Sequence, residues 1–142
     1  MFGNERVQMR RLFFEAWRKH QAGEAMQPLE QMIAGVVLAH PEYHGLLDDP
    51  EDGLSRDYSP EAGESNPFLH MAMHIGLLEQ ISTDRPSGIG EVHRLLSQRF
   101  GETHAAEHRM MECLGRMLWE AQTNSRAPDE QAYLDCMRRL LG

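Results

Sequence analysis

The chain has 142 residues, 25% charged and 41% hydrophobic, the proportions of one ordinary globular domain and not of a disordered or fibrous chain. At this length folding buries roughly two-thirds of the unfolded surface, so a core forms without stapling, and any metal would be there for function. Fourteen Lys and Arg against 22 Asp and Glu leave a formal charge of -8, which argues against a nucleic acid or an anionic membrane as the main partner.

The longest apolar run, Met32 to Ala39, falls well short of the roughly 20 residues that span a bilayer. The opening residues, Met-Phe-Gly-Asn-Glu-Arg, place charges where a signal peptide needs an apolar stretch, so the expected location is cytoplasmic. Cys113 and Cys136 are the only cysteines and form no CxxC, and they read as ordinary residues at the edge of a core in a reducing compartment.

Asn4 is the expected N-cap of a first helix, in which Met9, Phe13, Ala16, Trp17 and His20 recur at helical spacing until Ala22-Gly23. Pro28 opens a second, with Leu29, Ile33, Val36 and His40 on one stripe, until Pro41 breaks the ladder. From Asp48 to Asn66 the composition shifts to seven acidic residues, one Arg, two Gly and two Pro. Asp49-Pro50-Glu51-Asp52 within it resembles a capped single turn, and the segment as a whole reads as a lid or as disorder. Asn66-Pro67 then caps and starts a third helix that is apolar nearly all round, so the polar side chains it carries, His70 and His74, need partners inside the protein.

A turn at Asp84-Arg85-Pro86-Ser87-Gly88 precedes a fourth helix marked by Val92, Leu95, Leu96 and Phe100, which stops at Gly101. The fifth runs from about Glu102 to Gln122 on a stripe of Glu107, Met110, Met111, Leu114, Met117, Leu118 and Ala121. The sixth carries Tyr133, Leu134, Met137, Leu140 and Leu141. No alternation of the strand type and no internal repeat is present, so the expected fold is all-α, a single domain over residues 1–142 built as a bundle of five or six helices.

Six of the eight histidines fall into pairs four residues apart: His40 and His44, His70 and His74, His104 and His108. Random placement gives roughly 0.4 such pairs. Residues four apart stand one turn above each other on a helix face, where two imidazoles can chelate one ion. Imidazole suits zinc, nickel and iron. Turning about 100° per residue puts Glu107 near the centre of the fifth helix's apolar stripe, with His104 on its flank and His108 further round.

The candidate ligands are therefore His70, His74, His104 and His108, with His40, His44 and Glu107 as alternates, for one transition metal. Three protein ligands plus water would leave an open position for hydrolytic or transfer chemistry on a small substrate, with Glu107 the candidate base. His104-Ala105-Ala106-Glu107-His108 also spells H-x-x-E-H, the inverted zinc-protease motif, but only 34 residues follow it, too few for the downstream ligand and fold of such enzymes. The ten methionines read as core filler at helical spacing. No phosphate loop and no nucleophile elbow is present, so kinase, dinucleotide and serine-hydrolase readings drop out.

Two other classes stay open. One is a non-enzymatic interaction or scaffold protein without metal, its histidines hydrogen-bonded in the core and its partner a protein or a second copy of the chain. The other is a bundle that responds to pH when clustered imidazoles charge below about pH 6.

Phe13-Phe14-Glu15-Ala16-Trp17-Arg18-Lys19, His40-Pro41-Glu42-Tyr43-His44, Asn66-Pro67-Phe68-Leu69-His70 with His74, and Glu112-Cys113-Leu114-Gly115 together resemble the bacterial family called domain of unknown function 1841. The resemblance spans nearly the whole chain and includes the turn at Pro86 to Gly88. It implies a single-domain bacterial protein and carries over no activity. His70 to His74 followed by Gly76 is also similar to the His pair of the DinB-like helical bundles, whose metal is held by histidines.

Overall fold

The chain is seen in a computed structural model that describes residues 2–54, 56, 58 and 66–142. Nine of the nineteen residues of the acidic segment expected as a lid or as disorder, 55, 57 and 59–65, lie outside the described residues.

Six long helices carry the chain: α1 (Phe2–Ala22), α2 (Pro28–Leu38), α5 (Pro67–Thr83), α6 (Ile89–Phe100), α7 (Thr103–Thr123) and α8 (Glu130–Arg139). Between α2 and α5, single turns replace a continuous helix because Pro41 and Pro50 lack the N–H that a ladder needs. These are a 3-10 turn (Pro41–Tyr43), α3 (His44–Leu47) and α4 (Pro50–Gly53). No strand occurs among the described residues, and the fold is all-α.

Local chemistry sets the helix ends. Asn66 Oδ1 accepts the N–H groups of Phe68 and Leu69 at 3.0 and 3.3 Å, which satisfies two donors that the first turn of α5 leaves open. Asp84 Oδ1 accepts from Gly88 and Gly90 across the turn before α6. Gly101 ends α6 in the left-handed region at φ 81°, where a side chain would be strained. Asp129 caps α8 through the Ala132 N–H. Against the expectation, α1 begins at Phe2, so Asn4 lies within it and not ahead of it.

By internal contacts the chain forms two compact units, Met1–Ala72 and Met73–Gly142, with the boundary inside α5. In the N-terminal unit, α1 and α2 bury Phe13, Phe14, Trp17, Ile33, Val36 and Val37 with Leu47, Phe68 and Met71. Phe68 meets Phe13 edge-on at 5.8 Å.

Arg10 is only 1% exposed. Its guanidinium donates to the carbonyls of Gly53 and Arg56 at 3.1 and 2.6 Å and lies 4.7 Å over the Phe68 ring. A buried guanidinium must be paired or hydrogen-bonded throughout, so this contact holds the end of α4 against α1. Gly53 is needed at the same junction, since a Cβ there would fall 2.6 Å from Phe14 Cζ.

In the C-terminal unit, α6, α7 and α8 pack Ile89, Val92, Leu96, Met110, Leu114, Tyr133 and Met137 together with Leu77 of α5. The Tyr133 hydroxyl donates to Gln80 Oε1 at 2.7 Å. Cys113 of α7 and Cys136 of α8 form a disulfide, which corrects the reading of both as ordinary reduced residues. They are 23 residues apart, and only the packing of α8 along α7 makes them neighbours. Of the methionines expected as core, Met110, Met111, Met117 and Met137 are buried in this unit and Met71 in the N-terminal one, whereas Met9 is 41% exposed. Leu118 and Leu29, assigned to apolar stripes, are 44% and 50% exposed. No helix among the described residues is long and apolar enough to cross a membrane.

Candidate metal centre

In the C-terminal unit the site is built from three helices around one carboxylate. α5 carries His74, 2% exposed, into the interior, and α7 carries Glu107, 6% exposed. The His74 Nε2–H donates to Glu107 Oε1 at 2.7 Å, and the His93 Nε2–H, from α6, donates to Glu107 Oε2 at 2.9 Å. Two imidazoles thus share the two oxygens of one carboxylate. An ionised carboxylate only accepts, so each ring carries a proton on Nε2, and Nδ1 is the atom that offers a lone pair when the ring is neutral. Burial alone would raise the Glu107 carboxyl. The hydrogen bonds from His74 and His93 outweigh it and hold the group below its ordinary value of 4.5, so it stays ionised at neutral pH.

The other two imidazoles stand one turn apart on α7. The His104 and His108 rings are 4.1 Å apart between centroids, and the His74 ring lies 5.7 and 5.8 Å from them. Nitrogens of His74 and His108 lie within 4.8 Å of each other. Four of the residues expected as ligands or alternates, His74, His104, Glu107 and His108, are therefore neighbours in this unit. Both oxygens of Glu107 are engaged by imidazoles from other helices, an arrangement unlike the free general base of the H-x-x-E-H enzymes.

The N-terminal unit holds the remaining candidates. His40 is fully buried, its Nδ1–H donates to Glu42 Oε1 at 2.8 Å, and its ring stacks on Tyr43 at 5.3 Å. The His70 ring meets the His40 ring edge-on at 4.9 Å. His44, beyond Pro41, donates from Nε2 to the Val37 carbonyl at 2.8 Å and packs on Trp17 at 4.5 Å. It closes the break that Pro41 makes, a structural task.

Sequence reasoning missed His93, which belongs to none of the pairs. Its signal was its place one turn beyond Ile89, on the flank of the buried face formed with Val92 and Leu96.

No curated protein and no solved structure matches the chain, so the likeness to the DinB-like bundles rests on the His70 to His74 spacing alone. The helical chain with its histidine pairs matches a family model, described as a domain of unknown function (DUF1841), over residues 5–139, and it belongs to that family.

Proposed function

We propose that the protein binds one transition metal ion, zinc, nickel or iron, in the C-terminal unit, through His74, His104 and His108. The observation that carries this reading is the gathering of three imidazoles beside a buried carboxylate that already orients one of them. Metal-ligating histidines commonly give their other ring N–H to a carboxylate, which fixes the tautomer and raises the basicity of the ligand nitrogen. Glu107 fills that part for His74 and is assigned here as a positioning residue. In a tetrahedral site, ligand nitrogens about 2.0–2.1 Å from zinc are roughly 3.3 Å apart. The nitrogens of His74 and His108, within 4.8 Å of each other, close to that spacing when both bind one ion. Three nitrogens leave one coordination position for water or a small substrate, which is where hydrolytic or transfer chemistry would arise.

The test is elemental analysis of protein purified without chelators or nickel resin, beside a His74→Ala, His108→Ala variant shown by circular dichroism to keep its helices. About one metal per chain, lost in the variant, is the expected result. Full occupancy in the variant, or native protein that refuses both zinc and iron, overturns the reading.

A second reading rests on the same hydrogen bonds. The His74–Glu107–His93 triad satisfies buried polar groups by itself, which suits a metal-free interaction protein. Trp119 and Leu118 of α7, 65% and 44% exposed, are then candidates for contact with a partner chain or a second copy. Metal-free protein that forms a defined oligomer by light scattering favours it, and a monomer counts against it.

A further inference from the structure

The Cys113–Cys136 disulfide lies at the edge of the apolar core of the C-terminal unit. Both cysteines line a small surface cavity of the C-terminal unit, about 90 Å³ in volume, together with Arg116, Arg126, Arg139, Glu120 and Asp129. Cys113 is 3% exposed, whereas Cys136 is half-buried. Arg116 is tied to Glu120 at 3.1 Å, but among the described residues no ion pair is formed by Arg126 or Arg139. A disulfide that shares a cavity with cations is in the setting that speeds thiol exchange, because a nearby positive charge stabilises both the arriving and the departing thiolate. Arg116 and Arg139 each lie one turn beyond a cysteine, at i+3 from Cys113 and Cys136, on the same helix faces. A purely structural disulfide in a unit with its own apolar core has no need of such a setting.

We propose that Cys113–Cys136 is an exchange-active disulfide whose cavity takes a small thiol bearing carboxylates, held by Arg126 and Arg139, with any ammonium group facing Asp129. The more exposed Cys136 is the sulfur attacked. The thiolate of the small thiol forms a new S–S bond to Cys136 Sγ, the Cys113–Cys136 bond breaks, and Cys113 leaves as a thiolate that takes up a proton. A second thiol attacks the mixed disulfide at the sulfur of the small molecule. The small-molecule disulfide departs and Cys136 is left as a thiol. In total two small thiols are oxidised to one disulfide and the protein disulfide is reduced to two thiols. Run backward, the same steps reduce a small disulfide. The proposal is independent of the metal site.

The experiment incubates the oxidised protein, in native buffer, with glutathione as the carboxylated thiol and with 2-mercaptoethanol as a neutral one. Iodoacetamide trapping and mass spectrometry read the opening, with rates compared per thiolate present. Glutathione should open the bond at least about tenfold faster than the neutral thiol, and a mixed disulfide should be caught on Cys136. The Arg126→Ala, Arg139→Ala variant should lose that preference while keeping its rate with 2-mercaptoethanol. A bond that opens only after denaturant is added overturns the proposal. So does a preference for glutathione that survives in the variant, or a mixed disulfide found on Cys113 alone. A Cys113→Ser, Cys136→Ser variant that keeps its helix content shows that the reduced protein stays folded during the assay, and one that unfolds overturns exchange as a native-state activity.

Discussion

Two buried polar side chains show how much one residue can decide. Glu107 is an acceptor for two imidazoles, and replacing one of its oxygens by an amide leaves a donor facing a donor. Glu107→Gln should therefore lower metal affinity by about 10–100-fold while the far-UV spectrum stays that of the native protein, read by competition with a chromogenic chelator. Arg10 is the second. Its guanidinium serves the Gly53 and Arg56 carbonyls and the Phe68 face, and Arg10→Leu leaves the buried Gly53 carbonyl and the part-buried Arg56 carbonyl short of a donor. The expected loss is about 2–4 kcal/mol in urea unfolding. Neither role was readable from spacing in the same degree. Glu107 announced itself as a carboxylate on an apolar stripe, whereas Arg10 precedes Phe13 and Phe14 like any surface cation, and its partners arrive more than 40 positions later. His93 escaped notice for the same reason, since its partner Glu107 is on another helix.

At the scale of elements, punctuation proved more legible than faces. Asn66-Pro67, Pro86 to Gly88, Gly101 and Asp129 each mark a boundary by a local mechanism that needs no knowledge of the rest of the chain. Leu29 and Leu118 sit at stripe positions yet face solvent, because which part of a stripe is covered depends on where the neighbouring helix ends. The Cys113–Cys136 bond is the extreme case, since two positions 23 apart on different helices carry no local sign of adjacency. The contact between α8 and α5 has a pH signature. Burial raises the Tyr133 phenol above its ordinary value of 10.0, so above pH 10 the unfolded chain releases a proton that the folded chain keeps. The unfolded state then binds fewer protons, and stability is complete below pH 10 and falls as the pH rises beyond it. Thermal melts of the native protein should weaken across that window. Tyr133→Phe should flatten this component of the slope and lower stability at neutral pH by about 1 kcal/mol through the lost bond to Gln80.

For the molecule as a whole, the helical class and the order of the six long helices followed from periodicity, and four of the seven expected ligand positions meet in one unit. The remaining candidates, His40, His44 and His70, lie in the other unit with partners of their own. A metal that binds only the folded chain must stabilise it by mass action. Zinc at a hundredfold above its dissociation constant should raise the unfolding free energy by about 2.7 kcal/mol. Differential scanning calorimetry should show a higher Tm with zinc in the native protein and no change in the His74→Ala, His108→Ala variant. The chain also carries its own optical probes, because it has two tryptophans and each unit owns one. Trp17 is 5% exposed and donates to Asp48 Oδ1 at 3.1 Å, while Trp119 is 65% exposed. Acrylamide will quench Trp119 first and leave a blue-shifted emission from Trp17, so a single fluorescence cuvette can report whether the two halves of this protein melt in step or one at a time.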